Sequence, residues 1–229
     1  MKTKKYHAHT RYRLAPTRSY PKGELVPGVT TIVSVLNKPA LVNWANRLGL
    51  EGIQVGKYVD DKADIGTLAH AMIIAEITGE EISVDLDEYS LAQRDAAENA
   101  CLSFFEWQKK HKLEVVAAEK SLVSERRGFG GTFDIYGICD GKRELIDLKT
   151  GSGIYEEHWI QCGGYTILLE EHGWPVDSIR ILNIPRAESE NFAEQTASKS
   201  VRQYAEALFL ECLEVYTLQK TLRKLLKKS

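Results

Sequence analysis

The spacing of apolar residues along the chain changes period twice. Over residues 57–78 it is helical, with Leu68, Ala69, Met72 and Ile73 clustered in "GTLAHAMIIAEITG" and Gly79 placed to stop the helix. Upstream, "PGVTTIVSVLNKPALVNWANRLG" predicts two shorter helices, one capped by Thr30 or Thr31 and one opened by Pro39. Residues 90–111 read as a long helix with an apolar stripe of Ala97, Cys101, Phe104 and Phe105, edged by Gln108. The period then shortens, and strands are predicted over 113–124, 130–139 and 142–150. Helix returns in "HWIQCGGYTILLEEHG" and stops at Gly173, "SIRILNIPR" is a further strand, and 201–228 is a long final helix. Helices, three strands, a helix, a strand and a helix, in that order, predict an α/β fold with a central mixed β-sheet flanked by helices. There is no internal repeat and no long low-complexity linker.

Within this pattern "RELIDLKTG" is anomalous, because Asp147 and Lys149 interrupt an otherwise apolar strand. Residues i and i+2 of a strand share a face, so the acid and the base stand together. The preceding strand is joined through Asp140-Gly141, a strong signal for a two-residue type I′ hairpin. That register sets Asp134 opposite Asp147, Thr132 opposite Lys149, Phe133 opposite Leu148 and Ile135 opposite Ile146. One face is then apolar, and the other gathers Asp134, Asp147 and Lys149. Facing carboxylates have Cβ atoms only ~5 Å apart, and at an effective dielectric of about 20 they repel by roughly 3 kcal/mol. Two arrangements relieve this: a divalent cation between the oxygens, or a surface patch in which Lys149 neutralises one Asp.

Other polar residues sit where apolar ones are expected. Glu119 breaks the strand face Leu113, Val115, Ala117, Glu119, Ser121, Val123, and reads either as a site residue or as an edge-strand charge. His70 lies on an apolar helical segment, where a satisfied core histidine is the plain alternative. Gln161 and Tyr165, four apart, share one face of a helix.

Composition changes the picture little: 43% hydrophobic and 27% charged residues are ordinary for a globular protein, and no apolar stretch is long enough to span a membrane. The N-terminus lacks the apolar core of a secretory signal; it is basic and acid-free, as transit peptides are, but its interleaved Tyr and His residues fit that reading poorly. Cys101, Cys139, Cys162 and Cys212 are far apart with no CxxC pair, which argues against a zinc or iron–sulfur site and for reduced thiols in a cytoplasm. Charge is more informative. Net charge is −2, yet residues 1–23 hold seven Lys or Arg (Lys2, Lys4, Lys5, Arg11, Arg13, Arg18, Lys22) and no acid. Residues 220–229 hold five more (Lys220, Arg223, Lys224, Lys227, Lys228), again without an acid. Basic ends on an acidic body suggest a polyanion partner; two solvated tails are the alternative.

Together these residues resemble the PD-(D/E)XK nuclease superfamily in its RecB/AddB-type exonuclease branch. "GTLAH" is similar to that branch's G-T-x-x-H helix, "GTFD" to its G-x-x-D strand, "IDLKTG" to its D-x-K-T-G strand and "QCGGY" to its Q-x-x-x-Y helix. Glu119 fits the acid on the preceding strand. "PGVTTIVSVLNKP" is similar to N-terminal segments of phage exonucleases and of the mitochondrial genome-maintenance exonuclease. The resemblance implies a restriction-endonuclease-like core at 61–229 behind a basic arm and helical segment at 1–60, the whole forming one compact domain. It implies hydrolysis of phosphodiesters from DNA ends, single-stranded or duplex, in a bacterial or phage-infected cytoplasm, in recombination or repair, with a phage or host recombination protein as a further partner. His70, Asp134, Asp147 and the Leu148 carbonyl would hold Mg²⁺ or Mn²⁺, Lys149 and Glu119 would serve the attacking water and the phosphate, and Gln161 and Tyr165 would grip the strand. The basic termini would contact phosphates, and Tyr6, Tyr12 and Tyr20 would stack on bases. One departure stands out: relatives with a four-cysteine iron–sulfur cluster carry three cysteines near the C-terminus, and here Cys212 is alone after Cys162, so no cluster is expected. A structure-specific endonuclease, a DNA-binding protein that has lost catalysis, and a non-nuclease α/β protein with a salt-bridged patch are the competing readings.

Overall fold

A computed structural model describes residues 11–36, 38–187 and 189–227; Lys2, Lys4, Lys5, Tyr6 and Lys228 lie outside them. Two short strands, β1 (Tyr12–Arg13) and β2 (Leu25–Val26), pair antiparallel and precede helix α1 (Val29–Val33). This helix begins at Val29, with extended Gly28 as its N-cap and no side-chain cap, so neither Thr30 nor Thr31 plays the capping role their chemistry suggested. The start is fixed instead by backbone: Pro27 O accepts from Gly130 N, and Gly28 bridges to Gly130. Helix α2 (Pro39–Leu50) opens on its proline, and α3 (Val55–Thr78) ends at Gly79 in a left-handed conformation, both as the sequence indicates. A single 3₁₀ turn (Leu86–Glu88) leads to α4 (Leu91–Gln108), whose start is a reciprocal Ser90–Gln93 capping box. Its buried stripe ends on Trp107 rather than Gln108.

The sheet follows as β3 (Leu113–Ser124), β4 (Phe129–Cys139) and β5 (Lys142–Lys149), then α5 (Glu156–Glu171), β6 (Ser178–Asn183), β7 (Ala193–Thr196) and α6 (Lys199–Leu226). Strand order is β3-β4-β5-β6-β7, and the mixed character comes from the single parallel pair, β5 with β6. A parallel neighbour needs a crossover, and α5 provides it. One face of the sheet packs on α1, α5 and α6 through Phe129, Phe133, Tyr136, Leu145, Tyr165 and Phe209. The other packs on α3 and α4 through Leu68, Ile73, Phe104, Ile135, Ile146 and Leu148. The fold is thus a mixed α/β sandwich of helix, sheet and helix.

The Asp140-Gly141 hairpin forms as expected, with positive φ at both residues and pairing from Cys139↔Lys142 to Ile135↔Ile146. The ladder stops there, so the expected Asp134/Asp147, Phe133/Leu148 and Thr132/Lys149 pairs do not form. Phe133 also belongs to the α5 side of the sheet while Ile135 belongs to the α3 side. The two faces exchange at Asp134. The neighbouring strand does the same: Ala118 pairs with Ile135 and Lys120 with Phe133, the intervening Glu119 makes no ladder pair, and its φ is +44°. A further irregularity between Val115 and Ala117 breaks the face predicted for β3.

The α5–α6 contact depends on two glycines. A Cβ on Gly163 would stand 2.5 Å from the Ala205 carbonyl oxygen, and one on Gly164 would stand 2.7 Å from the Phe209 ring. Gly163→Ala should therefore cost about 1–3 kcal/mol through overpacking. Gly56→Ala, on α3 with nothing within 4 Å, should leave stability unchanged or raise it by up to about 1 kcal/mol. Urea unfolding of both variants checks the pair, and equal effects would contradict the close approach.

Candidate functional site

At the C-terminal end of β5, Asp147, Leu148 and Lys149 lie alongside Ile181, Leu182 and Asn183 of β6. Having left the ladder with β4, the Leu148 N–H is free to find another acceptor and donates to Asp134 Oδ2 at 2.7 Å. The hydrogen bond that the hairpin gives up is recovered by a side chain, and that side chain is thereby fixed beside β5. Helix α3 supplies His70, whose Nδ1 stands 3.6 Å from Asp134 Oδ1, an ion-pair distance beyond hydrogen-bond reach. The helix approaches this closely because residue 66 is glycine: a Cβ there would meet Thr150 Oγ1 at 2.6 Å. The loop after β5 is held by Asn183 Oδ1, which accepts from Gly151 N at 3.1 Å.

Asp147 is the most enclosed of these groups, with its side chain 1% exposed. Lys149 Nζ lies 2.5 Å from its Oδ2, a close ion pair. Neither oxygen of Asp147 accepts a well-aligned hydrogen bond among the described residues, although the Lys149 ammonium and the Cys162 thiol both lie beside the carboxylate. Burial pushes the Asp147 carboxyl up to about 6; Lys149 opposes the shift and the Asp134 charge adds to it. Asp134 moves the other way: burial would raise it, but His70, Lys149 and the Leu148 N–H together bring it below its ordinary value. For His70, burial is the largest single influence and lowers it, but the charge and close contact of Asp134, joined by the Asp147 charge, together outweigh it and the net shift is upward. Lys149 is likewise raised, the attraction of Asp147 and Asp134 exceeding the burial effect.

The structure therefore brings His70, Asp134, Asp147, Leu148 and Lys149 into one cluster. Glu119 falls opposite Asp134 in the register; desolvation and the Asp134 charge raise its carboxyl, although the residue is open to solvent. Gln161 Nε2 donates to the Tyr165 hydroxyl at 2.8 Å. Tyr165 is buried against Gly131, where a Cβ would stand 2.8 Å from its ring, so its hydroxyl rather than its ring is what the site can use. Tyr12, expected to be available for stacking, is instead committed to β4: its ring covers Gly130 and its hydroxyl bonds to Thr132 Oγ1 at 3.0 Å. Tyr20 is 51% exposed.

Several residues at the site carried no signal in the sequence. A cavity of about 630 Å³ opens beside Lys149 and Gln161, lined also by Thr30, Ser34, Lys38 and His158. Lys38 is ion-paired with Glu157 at 2.9 Å. Burial and Lys149 lower His158 to about 4, and its Nδ1 accepts from Tyr155 N at 3.2 Å. It is a neutral imidazole with Nε2 left as the donor. Cys162 lies close enough to Asp147 that burial and that charge raise its thiol far above the ordinary value. Ion pairs and contacts between residues this far apart in the chain have no local pattern to betray them.

The arrangement suits a divalent cation. A buried carboxylate that accepts no hydrogen bond and has one ammonium against one of its oxygens is incompletely compensated, and a further cation would complete the compensation. Asp134 and His70 offer further ligand atoms nearby, and hard or borderline cations accept this oxygen-plus-imidazole set. Beside it, Lys149 gives a fixed positive charge and Glu119 a carboxyl able to accept a proton.

No protein-family model matches the chain, and no curated protein matches it. Among solved structures it is similar to a protein from Eubacterium rectale provisionally termed an exonuclease, at 11% identity over 63% of this chain and 68% of that one, with a TM-score of 0.41. It is also similar to an alkaline exonuclease from Laribacter hongkongensis, at 14% identity over 73% of this chain and 92% of that one, with a TM-score of 0.32. The latter protein has also been solved with dAMP, matching here at 15% identity over 74% of this chain and 92% of that one, with a TM-score of 0.33. These likenesses are remote, and the functional reading rests on the site itself.

The Asp147 shift has a consequence for the metal-free protein. Its folded pKa lies above the unfolded value, so the stability it contributes is complete below the unfolded value of about 3.9 and is lost as pH rises through about 6. His70, also raised, loses its contribution in a later window, from its ordinary 6.5 up through its higher folded value. In the presence of a chelator, Tm should fall as pH rises from about 4 to about 6, and Asp147→Asn should flatten that part of the fall. Parallel Tm profiles for wild type and variant would show that Asp147 is not the strained group.

Proposed function

We propose that this protein is a divalent-metal-dependent deoxyribonuclease of the PD-(D/E)XK type that hydrolyses phosphodiester bonds from DNA ends. One observation carries the reading: the buried Asp147 carboxylate, with no hydrogen-bond donor on either oxygen, stands in one cluster with Asp134, His70 and Lys149. A surface salt-bridged patch would keep its acids in water, whereas Lys149 here pairs with an enclosed Asp147 that stands beside a second acid and an imidazole.

His70, Asp134, Asp147 and the Leu148 carbonyl would hold Mg²⁺ or Mn²⁺, the imidazole favouring Mn²⁺. Such an ion, when bound, polarises a phosphoryl oxygen and acidifies a water ligand. The residues do the rest. Lys149, kept protonated by Asp147 and Asp134, donates from Nζ to the non-bridging phosphate oxygen on which negative charge grows. The Glu119 carboxylate accepts a hydrogen bond from the attacking water and orients it. Gln161, set by the Tyr165 hydroxyl, donates to the strand beside the cut. The neutral His158 and Lys38 line the adjoining cavity, where a nucleotide next to the scissile phosphate would lie. Basic residues at both ends of the chain add sequence-independent affinity for the backbone. A role in phage or bacterial recombination and repair follows from the resemblance in sequence.

The test is digestion of end-labelled single-stranded, linear duplex and closed circular DNA with Mg²⁺, Mn²⁺ or chelator. Linear DNA should be lost only with metal, and Lys149→Ala should slow the loss by at least about a hundredfold. Cutting of the circle would favour an endonuclease. No cleavage of any substrate by folded, metal-loaded protein would favour a DNA-binding protein on the same fold.

A further inference from the structure

At the opposite end of β5 a second group of metal-ligating side chains converges. Ligand atoms of His111, Cys139 and Asp140 all lie within 4.8 Å of one another. His111 follows the end of α4, Cys139 closes β4, and Asp140 is the first turn residue of the hairpin. Asp140 is some seven residues from Asp147, about 20 Å along a strand, so this group is separate from the candidate nuclease centre.

The pieces are arranged as a ligand set with its supports. His111 Nδ1 lies 2.7 Å from Asp140 Oδ2, and Cys139 Sγ lies 4.0 Å from the same oxygen. The other Asp140 oxygen accepts from Lys112 N at 2.9 Å, and the other His111 ring nitrogen faces Glu194 Oε2 at 4.0 Å. Metal-binding histidines and carboxylates are usually braced in this way on the atom that does not ligate. Trp107 stacks on the His111 ring at 4.8 Å and closes one side. The nearby cation Arg180 is matched by Glu144 and Glu194, so its charge is already compensated.

We propose that His111 Nδ1, Cys139 Sγ and Asp140 Oδ2 bind one zinc ion, with a fourth, solvent-facing position left to water. One thiolate, one imidazole and one carboxylate suit a borderline-soft cation and not the hard ions of an all-oxygen site. Donors around a tetrahedral zinc stand about 3.3–3.8 Å apart, so on binding the carboxylate must retreat slightly from His111 and the imidazole must turn toward Cys139, closing a group now spread over up to 4.8 Å. Asp140, with a side chain 47% exposed, can make that rotation. Burial holds the Cys139 thiol up to about 11 without metal, so binding exchanges its proton for the ion and releases that proton to solvent. The ion joins the segment after α4 to the end of β4 and the hairpin turn, which stabilises that end of the sheet. The cysteine spacing argued against a zinc site, and the mixed set departs from that expectation: drawing on His111, 28 residues before Cys139, it leaves no CxxC spacing to read.

Chelator-treated full-length protein should be titrated with Co²⁺, then with Zn²⁺. The expected result is a thiolate-to-cobalt absorption band in the near ultraviolet, displaced by Zn²⁺ but not by Mg²⁺. The band should be lost in Cys139→Ala, weakened by about tenfold or more in apparent affinity in His111→Gln, and retained in Asp147→Asn. His111→Gln alters a side chain that is 23% exposed, whereas Cys139 is fully buried, and so covers the case in which Cys139→Ala does not fold. No thiolate band in folded wild type, a band unchanged in His111→Gln, or a band lost in Asp147→Asn would each overturn the proposal.

Discussion

A carboxylate placed inside a protein must be given either a hydrogen bond, a counter-charge or a proton. Asp147 sits at the end of a buried strand with Lys149 as its only close counter-charge among the described residues and no hydrogen bond to either oxygen. Much of the surrounding architecture can be read as the consequence. The ladder between β4 and β5 ends one residue short of Asp147, which releases the Leu148 N–H to hold Asp134. The Asp134 charge in turn holds His70 toward its charged form. Each of these groups shifts the proton affinity of the next, so the cluster behaves as one electrostatic unit.

Close approach makes the unit possible, and glycines make the approach possible. Gly66 lets α3 meet Thr150 and carries His70 in; Gly131 lets Tyr165 lie flat against β4; Gly163 and Gly164 let α6 seat on α5. The sheet contributes something less regular. Glu119 adopts φ +44°, and both β3 and β4 exchange faces at the level of Asp134. Non-glycine residues hold such a conformation only when the surroundings impose it, and they concentrate where side chains must be aimed. Here the exchange turns two acids toward β5 while leaving Phe133 in one core and Ile135 in the other.

Much of this was legible in the sequence because it is encoded locally. The Asp140-Gly141 turn requires positive φ at both positions, which those residues tolerate, so the hairpin and its register as far as Ile135↔Ile146 could be read directly. Gly79 and Pro39 mark helix ends by the same kind of rule. The face exchange was not legible, because alternation assumes a regular pleat and its failure is decided by contacts with neighbouring strands. β7 is four largely polar residues, and β1 and β2 are two residues each; they exist through pairing, not propensity. At the site, the chemistry-bearing residues of the motifs were visible, while Lys38, Glu157 and His158 were not, since an ion pair spanning 119 positions leaves no trace in spacing.

Lys149 alone offsets the buried Asp147 charge, and a divalent cation shared with Asp134 and His70 would complete that compensation. The most direct measurement is calorimetric titration of chelator-treated protein with Mn²⁺ at pH 8, comparing wild type with Asp147→Asn. The account predicts saturable binding in wild type that is lost in the folded variant. Equal binding in both, or none in folded wild type, would contradict it and leave the buried carboxylate without a purpose.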